Sequence, residues 1–344
     1  MLCRITDCAF WCAGWWTLVG VVLGVLSCRS PSEPPPPALN PNIVKVGEYY
    51  RMGVWPQPHL LYATPPLDRV LLDAQLNALR DTTLIPNGTP APIFIEASDD
   101  GGKLLYVETP LYPRPGYWGP LYELEVATGQ RRLLRDSTWA VSSARYLPGS
   151  DRWVVFYSYG RLPWNPSGPV AGYYVLDLQT LKDSLLFAYV SPAGPKEIFN
   201  GFDISPDGQT LLIPLNHYPI GYPRAPQIIA FDLQTGRADT LSWRFSYDFL
   251  WLRFSPDGRQ LLYGTYPFGV FDYTSAGWTE IGVIDMRTGE RRVLETTTYF
   301  ACASMDLFPR WSPDGRHIVY SSAPVLCPEG AIGYYSLYIL KNVN

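Results

Sequence analysis

Acid–base and metal chemistry need histidines and carboxylates brought together, and this 344-residue chain offers three histidines, His59, His217 and His317. His59 and His317 stand at the same point of an internal repeat, directly ahead of an apolar strand, which marks both as structural. His217 lies alone in an aromatic connection and is the histidine with a functional reading. No group of His, Cys, Asp and Glu has metal-ligand spacing, so neither a metal nor a cofactor is expected. Asp207, Asp257 and Asp314 recur once per repeat, and such recurrence belongs to turn chemistry rather than to catalysis or calcium. Asp99-Asp100-Gly101-Gly102 lacks the further spaced oxygens of a calcium loop. The chain has no Gly-x-Ser-x-Gly elbow and no hydrolase-like domain to carry one.

Aromatic and arginine side chains are the more abundant candidates, and they suit recognition because large flat groups lose little entropy on binding. They gather in four connections. The first holds Tyr112, Arg114, Tyr117 and Trp118; the second Tyr159, Arg161 and Trp164. His217, Tyr218, Tyr222 and Arg224 form the third, and Tyr266, Phe268, Tyr273 and Trp278 the fourth. Stacking on sugar faces and gripping a protein loop both fit these residues. So does the plainer alternative, that they pack the connections against one another.

The scaffold that positions them is written as a repeat. Ser-Pro-Asp-Gly begins at Ser205, Ser255 and Ser312, at spacings of 50 and 57 residues, near the blade length of propeller repeats. Each copy follows an aromatic-bearing strand (Phe202, Phe254, Trp311) and precedes an apolar one, Leu211–Ile213, Leu261–Tyr263 and Ile318–Tyr320. A second turn closes each unit, as in Asp232-Leu233-Gln234-Thr235-Gly236 and Asp285-Met286-Arg287-Thr288-Gly289. Degenerate copies start at Ser98-Asp99-Asp100-Gly101 and Leu147-Pro148-Gly149-Ser150, and the faintest spans Trp55 to Tyr62. Proline presets φ, aspartate bonds the backbone beyond, and glycine takes the positive φ that closes the hairpin.

Six units result, each of four short antiparallel strands, a to d from the ring centre outward. One unit buries too little apolar surface alone, so the units must stack around a ring. The expected fold is an all-β, six-bladed propeller over 43–344. The last unit stops without strand d, and Ile43–Tyr49 is unassigned at the start, so this N-terminal strand is expected to close the ring. The 34 prolines, 29 glycines and 15% aromatic content agree with many short strands joined by turns. In this order the a–b and c–d turns share one face, and the aromatic b–c loops share the other with the d–a loops.

The three intact Ser-Pro-Asp-Gly copies with their flanking strands resemble the PD40, WD40-like repeats of the TolB-like propeller family. The resemblance covers about residues 43–344 and implies a fold rather than a function. TolB itself carries an additional α/β domain ahead of its propeller, which this chain does not show, so no role in the Tol–Pal system is carried over.

Residues 1–28 read as a lipoprotein signal: Arg4, an apolar run from Cys8 to Leu26, then Val25-Leu26-Ser27-Cys28, with Cys28 the lipidation site. An uncleaved membrane anchor is the alternative. Residues 29–42, with Pro34–Pro37, read as an extended spacer reaching roughly 40 Å. Cys302 and Cys327 fall on the loop face of the last unit and suit a disulfide that contributes about 3 kcal/mol; two buried thiols are the alternative. A net charge of −4 with no Lys/Arg run leaves no footprint for nucleic acid. The expectation is a monomeric propeller, lipid-anchored in the bacterial envelope, on the periplasm-facing outer membrane or the cell surface. It binds an envelope protein or glycan without catalysis. The alternative is a hydrolase or lyase at the ring's mouth, drawing on Glu197, Asp248, Asp272, Asp306 or His217.

Overall fold

The computed structural model describes residues 41–48, 52–64, 67–85, 91–109, 118–160, 167–189, 202–215, 227–241, 248–266, 277–299, 304–324 and 336–343. These belong to one compact unit, Asn40–Asn344. The signal segment, Cys28, the proline spacer, Cys302 and Cys327 lie outside the described residues.

The strands run in chain order. β1 (Ile43–Glu48) comes first. Blade one follows as β2 (Met52–Gln57), β3 (Leu60–Thr64), β4 (Leu67–Leu72) and β5 (Ala78–Ile85). Blade two is β6 (Ala91–Ala97), β7 (Lys103–Thr109), β8 (Leu121–Glu125) and β9 (Arg131–Arg135). Blade three is β10 (Val141–Tyr146), β11 (Trp153–Ser158), β12 (Gly172–Asp177) and β13 (Asp183–Ala188). Blade four is β14 (Asp203–Ile204), β15 (Thr210–Leu215), β16 (Gln227–Asp232) and β17 (Ala238–Leu241). Blade five is β18 (Asp248–Phe254), β19 (Gln260–Tyr266), β20 (Gly277–Asp285) and β21 (Arg291–Tyr299). Blade six holds β22 (Ser304–Trp311), β23 (Ile318–Pro324) and β24 (Ser336–Leu340), and its outer strand is β1.

All six sheets are four-stranded and antiparallel, so the six-bladed propeller expected from the repeat is the fold. Closure is also as expected. Ile43 lies opposite Leu340, Val44 opposite Ile339, and the Lys341 N–H donates to the Asn42 carbonyl at 2.8 Å. The first strand thereby holds the last blade in place.

Strand b of each blade explains why these sequences stack. Leu61, Leu105, Val155, Leu211, Leu262 and Val319 are almost fully buried, and so is the residue that follows each of them. A continuous apolar run rather than an alternating one is the mark of a strand covered on both faces. The covers are the adjacent blades. Val155 and Tyr157 pack with Phe202 and Leu211, while Leu262 and Val283 pack with Trp311 and Ile318. Val319 and Leu337 pack with Leu61 and Val70 across the closure.

The a–b turns work as their residue types predict. Ser205 Oγ donates to Asp207 Oδ1 and accepts from the Thr210 N–H at 2.8 Å. Asp207 Oδ1 also accepts from the Gln209 N–H at 3.0 Å, and Gly208 takes φ 71°. The same set recurs at Ser255–Gln260 and Ser312–His317. It recurs again at the degenerate Ser98-Asp99-Asp100-Gly101, where proline is absent but the serine, the third-position aspartate and the glycine keep their partners.

Candidate functional site

Each rigid turn fixes the end of an inner strand, and the residue two places ahead of the turn lines the ring axis. In blades two to six these residues are Glu96, Arg145, Asp203, Arg253 and Arg310; blade one contributes Val54. They line a cavity of about 410 Å³ that also reaches turn residues of every blade: Pro56, Asp99, Pro148, Pro206, Pro256 and Pro313. Asp99, Gly149, Pro206 and Pro256 are exposed, so the cavity opens on the turn face.

Arg145 is the keystone of the charged set. Its Nε lies 2.9 Å from Asp203 Oδ1, and its Nη1 lies 3.2 Å from Glu96 Oε2. Burial alone lowers an arginine's pKa, but Asp203 and Glu96 outweigh it and hold the Arg145 guanidinium above its usual range. Asp203 also accepts from the backbone N–H groups of Ile204 at 2.8 Å and Phe254 at 2.6 Å, the second of which joins blades four and five. Arg253 donates to the Phe202 and Leu252 carbonyls at 2.8 and 2.6 Å.

Arg310 is less well served. It is only 5% exposed, its Nε and Nη2 have no hydrogen-bond partner, and its nearest carboxylate oxygen, Glu96 Oε2, is 4.0 Å away. Burial first, and then the neighbouring Arg145, bring its pKa down to about 10. Burial, Arg310 and Arg145 drive that of Arg253 well below its usual range. The set therefore places three guanidiniums with two carboxylates, both ion-paired to Arg145. Such a set can hold charge, not relay protons.

The residues singled out from the sequence lie elsewhere. Trp118 is half-buried against the cluster that includes Tyr157, Tyr173 and Phe202. Tyr159 is 5% exposed in that cluster, edge-on to Tyr157 at 5.2 Å between ring centres. Tyr266 ends β19 opposite Asp248, and Trp278 pairs with Thr298 in β20–β21; nothing further is described of their side chains. Tyr112, Arg114, Tyr117, Arg161, Trp164, His217, Tyr218, Tyr222, Arg224, Phe268 and Tyr273 lie outside the described residues, as do Glu197 and Asp272. Asp306 is placed in β22 opposite Ser322, its side chain undescribed.

His59 is exposed, whereas His317 stacks against Trp55 at 6.1 Å and accepts from the Asn342 N–H at 3.2 Å. Among the described residues, no group of three or more His, Cys, Asp or Glu side chains fits a metal ion.

The axial charges were missed by sequence reasoning, although a signal was present. They stand at one repeat position, Glu96-x-Ser98, Arg145-x-Leu147, Asp203-x-Ser205, Arg253-x-Ser255 and Arg310-x-Ser312. Reading the column down the repeats, rather than each strand along its length, exposes five charged residues where a buried strand should be apolar.

No protein-family model matches the chain, and no curated protein matches it. Solved structures do. A protein assigned as TolB from Agrobacterium tumefaciens superimposes with a TM-score of 0.56 at 15% identity, covering 86% of this chain and 90% of that one. An oligogalacturonate lyase in complex with manganese gives a TM-score of 0.53 at 16% identity, covering 86% and 77%. The oligogalacturonate lyase of Vibrio parahaemolyticus gives 0.51 at 13%, covering 85% and 78%. The chain therefore has the TolB-like propeller fold. That fold serves enzymes and other proteins alike, so function must come from the site.

Proposed function

We propose that this chain is a non-catalytic, envelope-tethered propeller that binds a protein or a glycan through its b–c loop face. The carrying observation is the asymmetry of the ring. On the turn face the a–b connections are tight and repeated, as between Ile204 and Thr210. Opposite, far longer connections run between Thr109 and Leu121, Ser158 and Gly172, Leu215 and Gln227, Tyr266 and Gly277, and Pro324 and Ser336. Long, varied connections rich in aromatics and arginine on a rigid scaffold are the usual place for recognition. The lipobox-like Cys28 and the proline spacer support tethering, and the TolB neighbour supports an envelope location. A partner is expected to be retained from solubilised native envelope by the tagged full-length chain and lost when Tyr117, Trp164 and Tyr222 are changed to Ala. Trp118 is left intact because it packs in the core. Retention of the same partner by the folded variant would sink the loop-face reading.

A second reading has its own support. The fold neighbours include two oligogalacturonate lyases, which favours an enzyme at the ring's mouth. An enzyme cleaving an acidic glycan there is tested by incubating the full-length chain with oligogalacturonate and measuring the appearance of shorter fragments.

A further inference from the structure

We propose that the axial cavity of the turn face is a binding site for the oxyanion group of a small acidic ligand, a carboxylate or a phosphate, gripped by Arg310 and Arg253. This does not rest on the loop-face reading, since it concerns the opposite end of the ring.

The first argument is charge. Arg145, Arg253 and Arg310 line one cavity with Glu96 and Asp203, all from adjacent inner strands, and the buried set is left with one uncompensated positive charge. Asp99 sits on the rim and restores formal neutrality, but it is exposed to water, and its Oδ2 accepts from the Gly149 N–H at 3.2 Å. A solvated carboxylate at the rim screens a buried guanidinium weakly.

The second argument is unmet bonding. Arg310 is buried, and two of its three nitrogens have no hydrogen-bond partner. Leaving donors of a buried charged group unmatched is costly, and native interiors rarely tolerate it without a ligand or ordered water to complete the set. Arg145, by contrast, is ion-paired to Asp203 at 2.9 Å and to Glu96 at 3.2 Å, and of its buried nitrogens Nη1 alone lacks a hydrogen-bond partner.

The third is shape. About 410 Å³ suits a small molecule rather than a single ion, and a planar guanidinium fork matches carboxylate and phosphate oxygens in pairs. Trp55, Phe254 and Trp311 line the same space and offer apolar wall to the body of such a ligand.

The full-length chain in detergent tests this by calorimetric titration at constant ionic strength. The probes are inorganic phosphate, glucuronate and glucose. Saturable binding of phosphate alone identifies a phosphate ligand, and of glucuronate alone a carboxylate ligand; either result supports the site. Arg310→Met removes an under-paired buried charge and is expected to fold, with affinity reduced about tenfold or more, the loss of one charge-assisted pair. Arg310→Lys keeps the charge without the fork and is expected to fall between. If neither anion binds, if glucose binds equally well, or if folded Arg310→Met binds as tightly as the native chain, the site is a solvated structural ring and the proposal is wrong.

Discussion

The two ends of this propeller obey different constraints. At the turn end, blades two, four, five and six repeat one hydrogen-bond set around Ser98, Ser205, Ser255 and Ser312, and the inner-strand residue ahead of each turn is held at the axis. At the loop end, no two of the long b–c connections share a sequence. A turn that must reverse the chain in a few residues has one good chemical solution, so it recurs. A connection that need only span two strands has many, and its sequence is free to follow a ligand. The turns therefore carry the fold, and substitutions within them are expected to cost stability, whereas those in the long loops are expected to cost partner binding.

The largest effect is expected at Arg145. Arg145→Met strands Glu96 and Asp203 as buried carboxylates and should lower unfolding free energy by about 3 kcal/mol or more, read from a urea titration. Its neighbour Arg310→Met should cost far less, because Arg310 gives up few bonds. Equal losses at the two positions would break the distinction between an arginine ion-paired to two carboxylates and one without a close carboxylate.

Gly282 comes next. A Cβ there would lie 2.3 Å from the hydroxyl of Tyr263, which donates to Glu280 at 2.7 Å, so Gly282→Ala should destabilise by about 1–3 kcal/mol through overpacking. At the turn itself, Gly208→Ala places a side chain at φ 71° and should cost about 1 kcal/mol by the same assay.

Acid sharpens the comparison more gently. Serine hydroxyls first, and then backbone N–H groups, hold the carboxyls of Asp100, Asp207 and Asp257 below the usual aspartate range; backbone N–H groups do so for Asp232 and Asp285. A folded-state value below the unfolded one means that this stabilisation is complete above the usual range and is lost as pH falls through the folded values. The urea midpoint should be steady from neutral pH to about 5 and decline below about 4, with Asp207→Asn showing a shallower decline. These groups are largely exposed, so each contributes little.

The fold was legible because its signals are local and repeated. Ser-Pro-Asp-Gly, the apolar b strands and the stray Ile43 strand define the blades and their closure before any contact is known. The charged axis was harder to read because Glu96 and Arg310 are 214 positions apart in the chain and become neighbours only when the ring closes. Trp118 and Tyr159 show the converse. Their composition suits recognition, yet both pack against the blade three–blade four core. An aromatic residue looks the same in sequence whether it faces a ligand or a neighbouring blade.

The division between the two ends is tested most directly by one crossed experiment on the full-length chain. Melting temperature and envelope-partner retention are measured together for the Tyr117/Trp164/Tyr222→Ala variant and for Gly208→Ala. The account predicts that the loop variant melts like the native chain and loses the partner, while the turn variant melts lower and keeps it below its transition. A loop variant that retains the partner, or a folded turn variant that loses it, would contradict the account.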